Sequence, residues 1–313
     1  MSGYRAVVLA TLALAFVVVV VGAYVRLSDA GLGCPDWPLC YGQPVPAQMS
    51  DDLAHAKAWK EMGHRYLAAT LGVLILFVFF TSLKKRQSRS LAAALVLLVV
   101  FQATLGMWTV TMLLKPAIVT AHLLGGMATL ALLVWLALQS FDFVADPGTR
   151  AVRFPAFVGL VAGVVQIALG GWVSANYAAL ACPDLPGCLG QALPPMDFAN
   201  AFHVLRELGH TGGGELLPRE ALTAIHWTHR VFALVLVAAV GWAAVKAFRI
   251  AALRPLAALT GILLVLQFSL GVANVALGLP LALAAAHNAG AALLLVSLVV
   301  LNFFAFRGLR PFR

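Results

Sequence analysis

The stretch EMGHRYLA at residues 61–68, followed by TAHLLGG at 120–126, decides the fold because the chain contains a near-copy of it. The second copy reads HWTHRVFA at 226–233 and AAAHNAG at 284–290. Similarity at a fixed separation is the signature of an internal repeat. The chain of 313 residues is therefore predicted to be a duplication.

Four histidines stand at equivalent positions of the two copies. The interval from His64 to His122 equals that from His229 to His287 (122 − 64 = 287 − 229 = 58). The offset that relates the two pairs (229 − 64 = 165) also aligns other residues between them: Gln102 with Gln267, and Gly106 with Gly271. The predicted halves, residues 1–145 and 146–313, thus each keep two histidines on two different apolar segments.

The similarity extends upstream at a second offset (170 − 22 = 148). GAYV at 22–25 and GGWV at 170–173 each precede, after the same short interval, a cysteine motif: CPDWPLC at 34–40 and CPDLPGC at 182–188. The interval from cysteine to histidine is shorter in the first half (64 − 34 = 30) than in the second (229 − 182 = 47). The second half therefore carries an insertion in this loop (47 − 30 = 17).

The composition predicts a membrane protein. Hydrophobic residues make up 62% of the chain and charged residues 11%, which excludes an ordinary soluble domain. A helix needs about 20 apolar residues to cross a bilayer, and eight such runs lie near 5–26, 61–83, 91–112, 116–139, 154–175, 222–246, 254–276 and 281–306. The predicted fold class is an all-α polytopic membrane protein, with eight transmembrane helices in two pseudosymmetric four-helix bundles.

The distribution of charge predicts the orientation. Basic residues cluster in the 2–3, 4–5 and 6–7 connections and after the last helix, at Lys84, Lys85, Arg86, Arg89, Arg150, Arg153, Lys246, Arg249, Arg254, Arg307, Arg310 and Arg313. Such segments face the cytoplasm, so both termini are predicted inside and the loops 27–60 and 176–220 outside. The net charge of +9 then follows from topology, and nucleic acid is not an expected partner.

All four cysteines lie in the two outer loops, where disulfides form. Three pairings are possible, but five intervening residues with two prolines favour closure within each loop, as Cys34–Cys40 and Cys182–Cys188. Each pair is either a staple for its loop or a redox-active pair, since short exposed disulfides tend to be labile. Both interpretations stay open, and the redox interpretation applies more to the first pair than to the second.

The inserted segment of the second loop, MDFANAFHVLREL at 196–208, has rough helical periodicity. It is interpreted either as an amphipathic lid on the membrane surface or as a solvated connector. His203 and His210 lie in this loop, and His55 lies in the first one. These three histidines are predicted to have no ligand role.

Histidines inside a membrane face the protein interior and mark functional sites. Two facing imidazoles supply too few donors for zinc or copper, but they suffice for the axial positions of a haem in a helical bundle. Arg65 and Arg230, each next to its histidine, are candidate partners for haem propionates. The small residues that would admit a macrocycle are Gly63, Ala68, Gly125, Gly126, Gly290 and Ala291.

The halves differ at one informative position. Glu61, three residues before His64, is replaced by His226 before His229. Residues three apart share a helix face, so Glu61 is predicted to point into the first site and to take part in proton chemistry. A solvated glutamate near the helix start is the alternative.

These motifs resemble those of a known family. The string GAYVRLSDAGLGCPDWPLCYGQ at 22–43, together with Glu61-Met-Gly-His-Arg65, Ala121-His122, Thr228-His-Arg230 and Ala286-His-Asn288, is similar to bacterial haem A synthases of the cysteine-containing type. The resemblance covers nearly the whole chain. It implies a protein of the bacterial inner membrane that oxidises the C8 methyl of haem O, through a hydroxymethyl stage, to the formyl group of haem A.

The resemblance also implies roles for individual residues. His229 and His287 would hold a resident haem b as cofactor, and His64 and His122 would bind haem O as substrate. Glu61 and the Cys34–Cys40 pair would be needed for turnover. Lipid, the haem O synthase and a membrane electron acceptor are the implied partners, and a homo-oligomer is left open.

Three other functions fit parts of the sequence. A dihaem electron-transfer cytochrome b is the strongest rival, but such proteins usually place two histidines on each of two helices, whereas here each of four segments supplies one. A haem transporter and an oxidase assembly factor are the others. Neither requires Glu61.

Overall fold

The computed structural model describes residues 3–46 and 51–310. Nine α-helices form most of this part: α1 (Gly3–Leu27), α2 (Asp52–Lys85), α3 (Arg89–Thr111), α4 (Pro116–Gln139), α5 (Arg153–Ala175), α6 (Phe198–Ala201), α7 (Arg219–Phe248), α8 (Arg254–Ala276) and α9 (Leu281–Arg307). Three short 3-10 helices flank them, at Pro147–Val152, Ala178–Leu180 and Ala251–Leu253. Strands β1 (Val144–Ala145) and β2 (Leu309–Arg310) form one antiparallel pair.

Eight of these helices, all except α6, are long and apolar enough to cross a membrane. The chain is therefore a multi-pass membrane protein, and the predicted number of spans is confirmed. Because successive spans alternate in direction, the α1–α2, α3–α4, α5–α7 and α8–α9 connections share one end of the protein, called the loop end below. The clustered basic residues lie in the connections of the other end or in the adjoining helix turns, except Arg313, which lies outside the described residues.

Helix α2 begins earlier than predicted, at Asp52 rather than near residue 61. Its N-cap is Asp51, whose side chain accepts a hydrogen bond from the Leu53 N–H at 2.9 Å. A helix of 34 residues is about 51 Å long, and a bilayer core is about 30 Å thick. The first turns of α2 therefore extend beyond the apolar layer, and the predicted loop 27–60 is too long.

Each half has the same pattern of neighbours. In the first half α1 contacts α2 and α4, and α3 also contacts both of them. In the second half α5, α7, α8 and α9 contact one another in the corresponding order. A two-fold relation between the halves stays a prediction.

The halves share an apolar core through α4 and α9. Leu130 and Leu133 of α4 belong to one buried cluster with Leu295 and Val299 of α9. At the loop end, Arg26 donates to the main-chain oxygen of Ser174 at 2.7 Å, which joins α1 to α5. This packing fixes the loop ends of the two halves relative to each other.

Candidate functional site

Each of the four repeated histidines lies against a glycine of the preceding long helix. A Cβ on Gly22 would lie 2.8 Å from Cε1 of His64, and one on Gly170 would lie 3.1 Å from Cε1 of His229. The second histidine of each half repeats the contact, at 3.3 Å between Gly106 and His122 and at 3.2 Å between Gly271 and His287. A side chain at residue 22 would force the imidazole of His64 to move, and one at the other three positions would be tighter than most contacts, so the glycines help to fix where the rings lie.

The two histidines of each half lie close together although they come from different helices. His64 and His122 are near enough for an electrostatic interaction, and the same is true of His229 and His287. Within the described residues, Nδ1 of His64 and Nδ1 of His287 are buried without a hydrogen-bond partner. Buried imidazole nitrogens usually have partners, so these rings have unused capacity to bind a ligand.

Carboxamides contact three of the four rings. In the orientation that satisfies its amide, Gln102 donates to Nδ1 of His122 at 2.8 Å and accepts from the Gly126 N–H at 3.0 Å. The amide nitrogen of Gln267 lies 3.4 Å from Nε2 of His287.

The third carboxamide, Gln166 of α5, was missed by the sequence analysis. Its amide nitrogen lies 3.2 Å from Nδ1 of His229. Gln166 is a polar residue in an apolar helix, four residues before Gly170 and therefore on the same face. A polar residue at that position of an apolar helix was the signal that could have identified Gln166 from the sequence.

Glu61 is buried, with 5% of its surface exposed, so the interpretation as a solvated residue is wrong. Its Oε2 accepts from the Cys34 N–H at 2.9 Å, and its Oε1 accepts from Arg65 at 2.5 Å. The carboxylate therefore ties α2 to the first cysteine loop. No described contact joins it to His64.

His226 takes the same place in the second half. Its Nδ1 lies 3.3 Å from the Cys182 N–H, and its Nε2 lies 3.2 Å from Nε of Arg230. A neutral imidazole has only one acceptor nitrogen, so His226 satisfies one of these donors where a carboxylate satisfies two. Residues 61 and 226 thus share a structural contact and differ in charge.

Arg65 and Arg230 bind the cysteine loops. Arg65 donates to the main-chain oxygens of Asp36 and Leu39 at 3.0 and 2.8 Å. Arg230 donates to the oxygens of Asp184 and Gly187, both at 2.8 Å, and also to that of Cys182. Their role as propionate partners stays a prediction.

The cysteine motifs fold into matching loops. Disulfides join Cys34 to Cys40 and Cys182 to Cys188, the pairing predicted within each loop. In the first loop, Asp36 accepts from the Gly42 N–H at 2.8 Å and from the Tyr41 N–H at 2.6 Å. These hydrogen bonds, that of Gly42 above all, hold the pKa of the Asp36 carboxyl below its ordinary value.

Asp184 makes the equivalent contacts in the second loop. It accepts from the Gly190 N–H at 2.8 Å and from the Leu189 N–H at 2.6 Å. The pKa of its carboxyl is lowered for the same reason, with Gly190 the main cause. The two loops therefore repeat in detail as well as in sequence.

The inserted segment of the second loop is not a continuous helix, because only Phe198–Ala201 is helical. The interpretation as a solvated connector is correct for Leu205, which is exposed, but wrong for Arg206. Arg206 is 2% exposed and donates to Oδ1 of Asn176 at 2.5 Å. Glu207 pairs with Lys115 of the first half at 2.8 Å. The insertion therefore packs across the loop end.

The three histidines predicted to have no ligand role contact residues outside the two histidine pairs. His55 accepts from the indole N–H of Trp59 at 3.1 Å on the exposed first turns of α2. The ring of His203 lies against Gly212, and that of His210 against the Leu208 carbonyl.

The paired histidines fit an axially ligated haem better than a metal ion alone. Haem requires one nitrogen from each side. Among residues 3–46 and 51–310, no group of three or more histidine, cysteine, aspartate or glutamate side chains is placed to hold a metal ion. Two imidazoles per half, pressed against glycines and partly unpartnered, match the haem requirement.

Comparison with known proteins gives the family. The profile described as "COX15-CtaA: Cytochrome oxidase assembly protein" matches residues 5–299. The chain belongs to this family. The match spans all eight long helices apart from the ends of the first and the last, so membership in the COX15-CtaA family covers both histidine pairs.

Relatives named Heme A synthase are similar over most of their length. The protein of Shewanella oneidensis is 42% identical, covering 94% of each chain. That of Caulobacter sp. (strain K31) is 31% identical, covering 95% of this chain and 94% of the relative. That of Halalkalibacterium halodurans is 28% identical over 69% of this chain and 73% of the relative.

Proposed function

We propose that this chain is a haem A synthase, a membrane oxidoreductase that converts the C8 methyl group of haem O into the formyl group of haem A. One observation carries the proposal: the chain matches the Shewanella oneidensis Heme A synthase at 42% identity over 94% of both proteins. Both histidine pairs lie inside the family match as well.

The two histidine pairs take different haems in this proposal. His64 and His122 bind haem O as substrate, and His229 and His287 hold haem b as the resident cofactor. When bound, haem b supplies a one-electron redox centre. The chain's own contribution is to hold the four imidazoles against Gly22, Gly106, Gly170 and Gly271, so that each haem would meet its ligands in a set position.

Glu61 is the proposed proton acceptor of the first site. The second stage of the oxidation, from hydroxymethyl to formyl, removes two electrons and two protons from the substrate. A positioned carboxylate can accept such a proton. The first site has the carboxylate of Glu61 at the position where the second site has His226.

The Cys34–Cys40 disulfide is proposed to be required for turnover. The Cys34 N–H binds Glu61, and Arg65 binds both Glu61 and the main chain of the loop. A change at this disulfide would therefore affect the Glu61 carboxylate through the hydrogen bond from the Cys34 N–H.

The proposed location is the bacterial inner membrane, with both termini cytoplasmic and the cysteine loops outside. The basic residues at the end opposite the loop end support this orientation. Lipid surrounds the helices, the haem O synthase supplies the substrate, and an acceptor in the membrane takes the electrons.

The test is co-expression with a haem O source, followed by pigment extraction and chromatography. The wild-type chain should give haem A, and His64→Ala should give only haem O and haem b. His55→Ala is the matched control, since it removes a histidine from the same helix outside the pairs and should leave haem A formation intact. Unchanged haem O with wild type would contradict the proposal and favour a dihaem electron carrier.

A further inference from the structure

The ring of His229 has a hydrogen-bonding neighbour that the ring of His64 lacks. Gln166 donates to the main-chain oxygen of His229 at 3.1 Å, and the same amide nitrogen lies 3.2 Å from Nδ1. The upstream offset between the repeats places Val18 at the equivalent position of α1 (166 − 148 = 18). The first half therefore has an apolar side chain where the second half has a carboxamide.

This difference separates the two sites. In the second half Gln166 lies at Nδ1 of His229, and Gln267 lies at Nε2 of His287, whose Nδ1 is buried without a partner in the described residues. Both rings of the second half thus have a carboxamide neighbour. In the first half Gln102 serves His122, but the buried Nδ1 of His64 has no partner within the part of the chain that the structure describes.

A partner at the second ring nitrogen matters for a metal-binding imidazole. It fixes the tautomer and the ring orientation, and its loss typically weakens metal binding about 10- to 100-fold. A carboxamide suits this task because it offers both a donor and an acceptor. In the described structure Oε1 of Gln166 is buried without a partner, so turning the amide over would bring an acceptor to Nδ1 in place of the donor when the ring nitrogen carries a proton.

The two sites have opposite requirements under the proposed function, on which this inference rests. A cofactor haem has to stay through many turnovers. A substrate haem has to enter as haem O and leave as haem A, so tight fixation of its ligands would slow the release of product.

We propose that Gln166 is a positioning residue that makes the second-half site retain its haem, and that Val18 leaves the first-half site free to exchange. Gln166 orients the ring of His229 before haem binds, and that orientation slows haem loss. His64, without such a partner, would hold its haem less firmly.

The experiment compares Gln166→Leu, Gln166→Glu and Val18→Gln in the purified full chain. Haem loss is followed by absorbance as haem transfers to excess apomyoglobin, and the midpoint potential of the retained haem is measured by redox titration. Gln166→Leu should release second-half haem about 10- to 100-fold faster, and its midpoint potential should rise because the imidazole loses a hydrogen-bond acceptor. Gln166→Glu keeps an acceptor of similar length and should retain the haem.

The reciprocal change tests the first half. Val18→Gln should slow the transfer of first-half haem and lower turnover through slow product release. Wild-type transfer rates and potential in Gln166→Leu would overturn the retention role, and unchanged first-half transfer in Val18→Gln would overturn the exchange role. Both readouts are independent of haem A formation, so a chain that shows these effects yet makes no haem A refutes the proposed function alone.

Discussion

Gly22 of α1 and His64 of α2 approach so closely that a methyl group on residue 22 would lie 2.8 Å from Cε1 of the imidazole. Carbon atoms normally come no closer than about 3.5 Å. Gly22→Ala should therefore displace the ring and reduce haem A formation about 10- to 100-fold, as small misplacements of reacting groups do. Pigment chromatography measures the loss, and the haem b proposed for His229 and His287 should be retained.

Gly72→Ala is the matched control on α2. A Cβ at residue 72 meets no atom within 4 Å in the described residues, and alanine removes the helix penalty of glycine, about 0.5–1 kcal/mol. This variant should keep full activity and equal or higher thermal stability. An equal loss of activity in both variants would mean that the contact with His64 is not the cause.

Glu61→His separates the structural role of Glu61 from its chemistry. The second half uses histidine at this position, where His226 contacts the Cys182 N–H and Arg230. The variant should therefore keep its cysteine loop and bound haem but form little haem A, since the one acceptor nitrogen of a neutral imidazole is taken up by these contacts and cannot also take a proton. Wild-type conversion of haem O by this variant would remove Glu61 from the mechanism.

The two disulfides should differ in function while they resemble each other in structure. Replacing either pair by serines opens a short loop and should cost about 2 kcal/mol of stability. Only the Cys34→Ser/Cys40→Ser protein should lose haem A formation, with Cys182→Ser/Cys188→Ser as its control. Equal losses in both would indicate that the pairs act only as staples.

Acid should loosen the first cysteine loop through Asp36. Its folded pKa is lowered, mainly by the Gly42 N–H. The stabilisation is therefore complete above the ordinary carboxyl pKa of about 4 and is lost as the pH falls through the lowered value. Amide hydrogen exchange of residues 34–43, corrected for its intrinsic pH dependence, should rise in that range, and Asp36→Asn should abolish the change.

The number of spans was predictable because apolar runs of sufficient length identify them. The start of α2 was not, since its first turns carry Asp52, Lys57 and Lys60 and lie beyond the apolar stretch that hydropathy detects. The Asp51 cap was a local signal for the earlier start. Hydropathy therefore locates the membrane layer better than it locates the helix ends.

The pairing of the repeated histidines was predictable from the repeat, but their neighbours were only partly so. The aligned Gln102 and Gln267 stand out because both copies keep them, whereas Gln166 has no copy in the first half. The contact between Glu61 and the Cys34 N–H depends on how a loop folds back over a helix. The spacing of residues along the chain does not predict that contact.

The hydrogen bond between Arg26 and Ser174 joins two positions that correspond in the repeats, since 26 + 148 = 174. An arginine at both positions would set two like charges against each other, whereas the side chain of Ser174 is small and uncharged and leaves its main-chain oxygen open to Arg26. The contact therefore needs the two copies to differ at this position, and an arginine in place of Ser174 would weaken the junction between the halves.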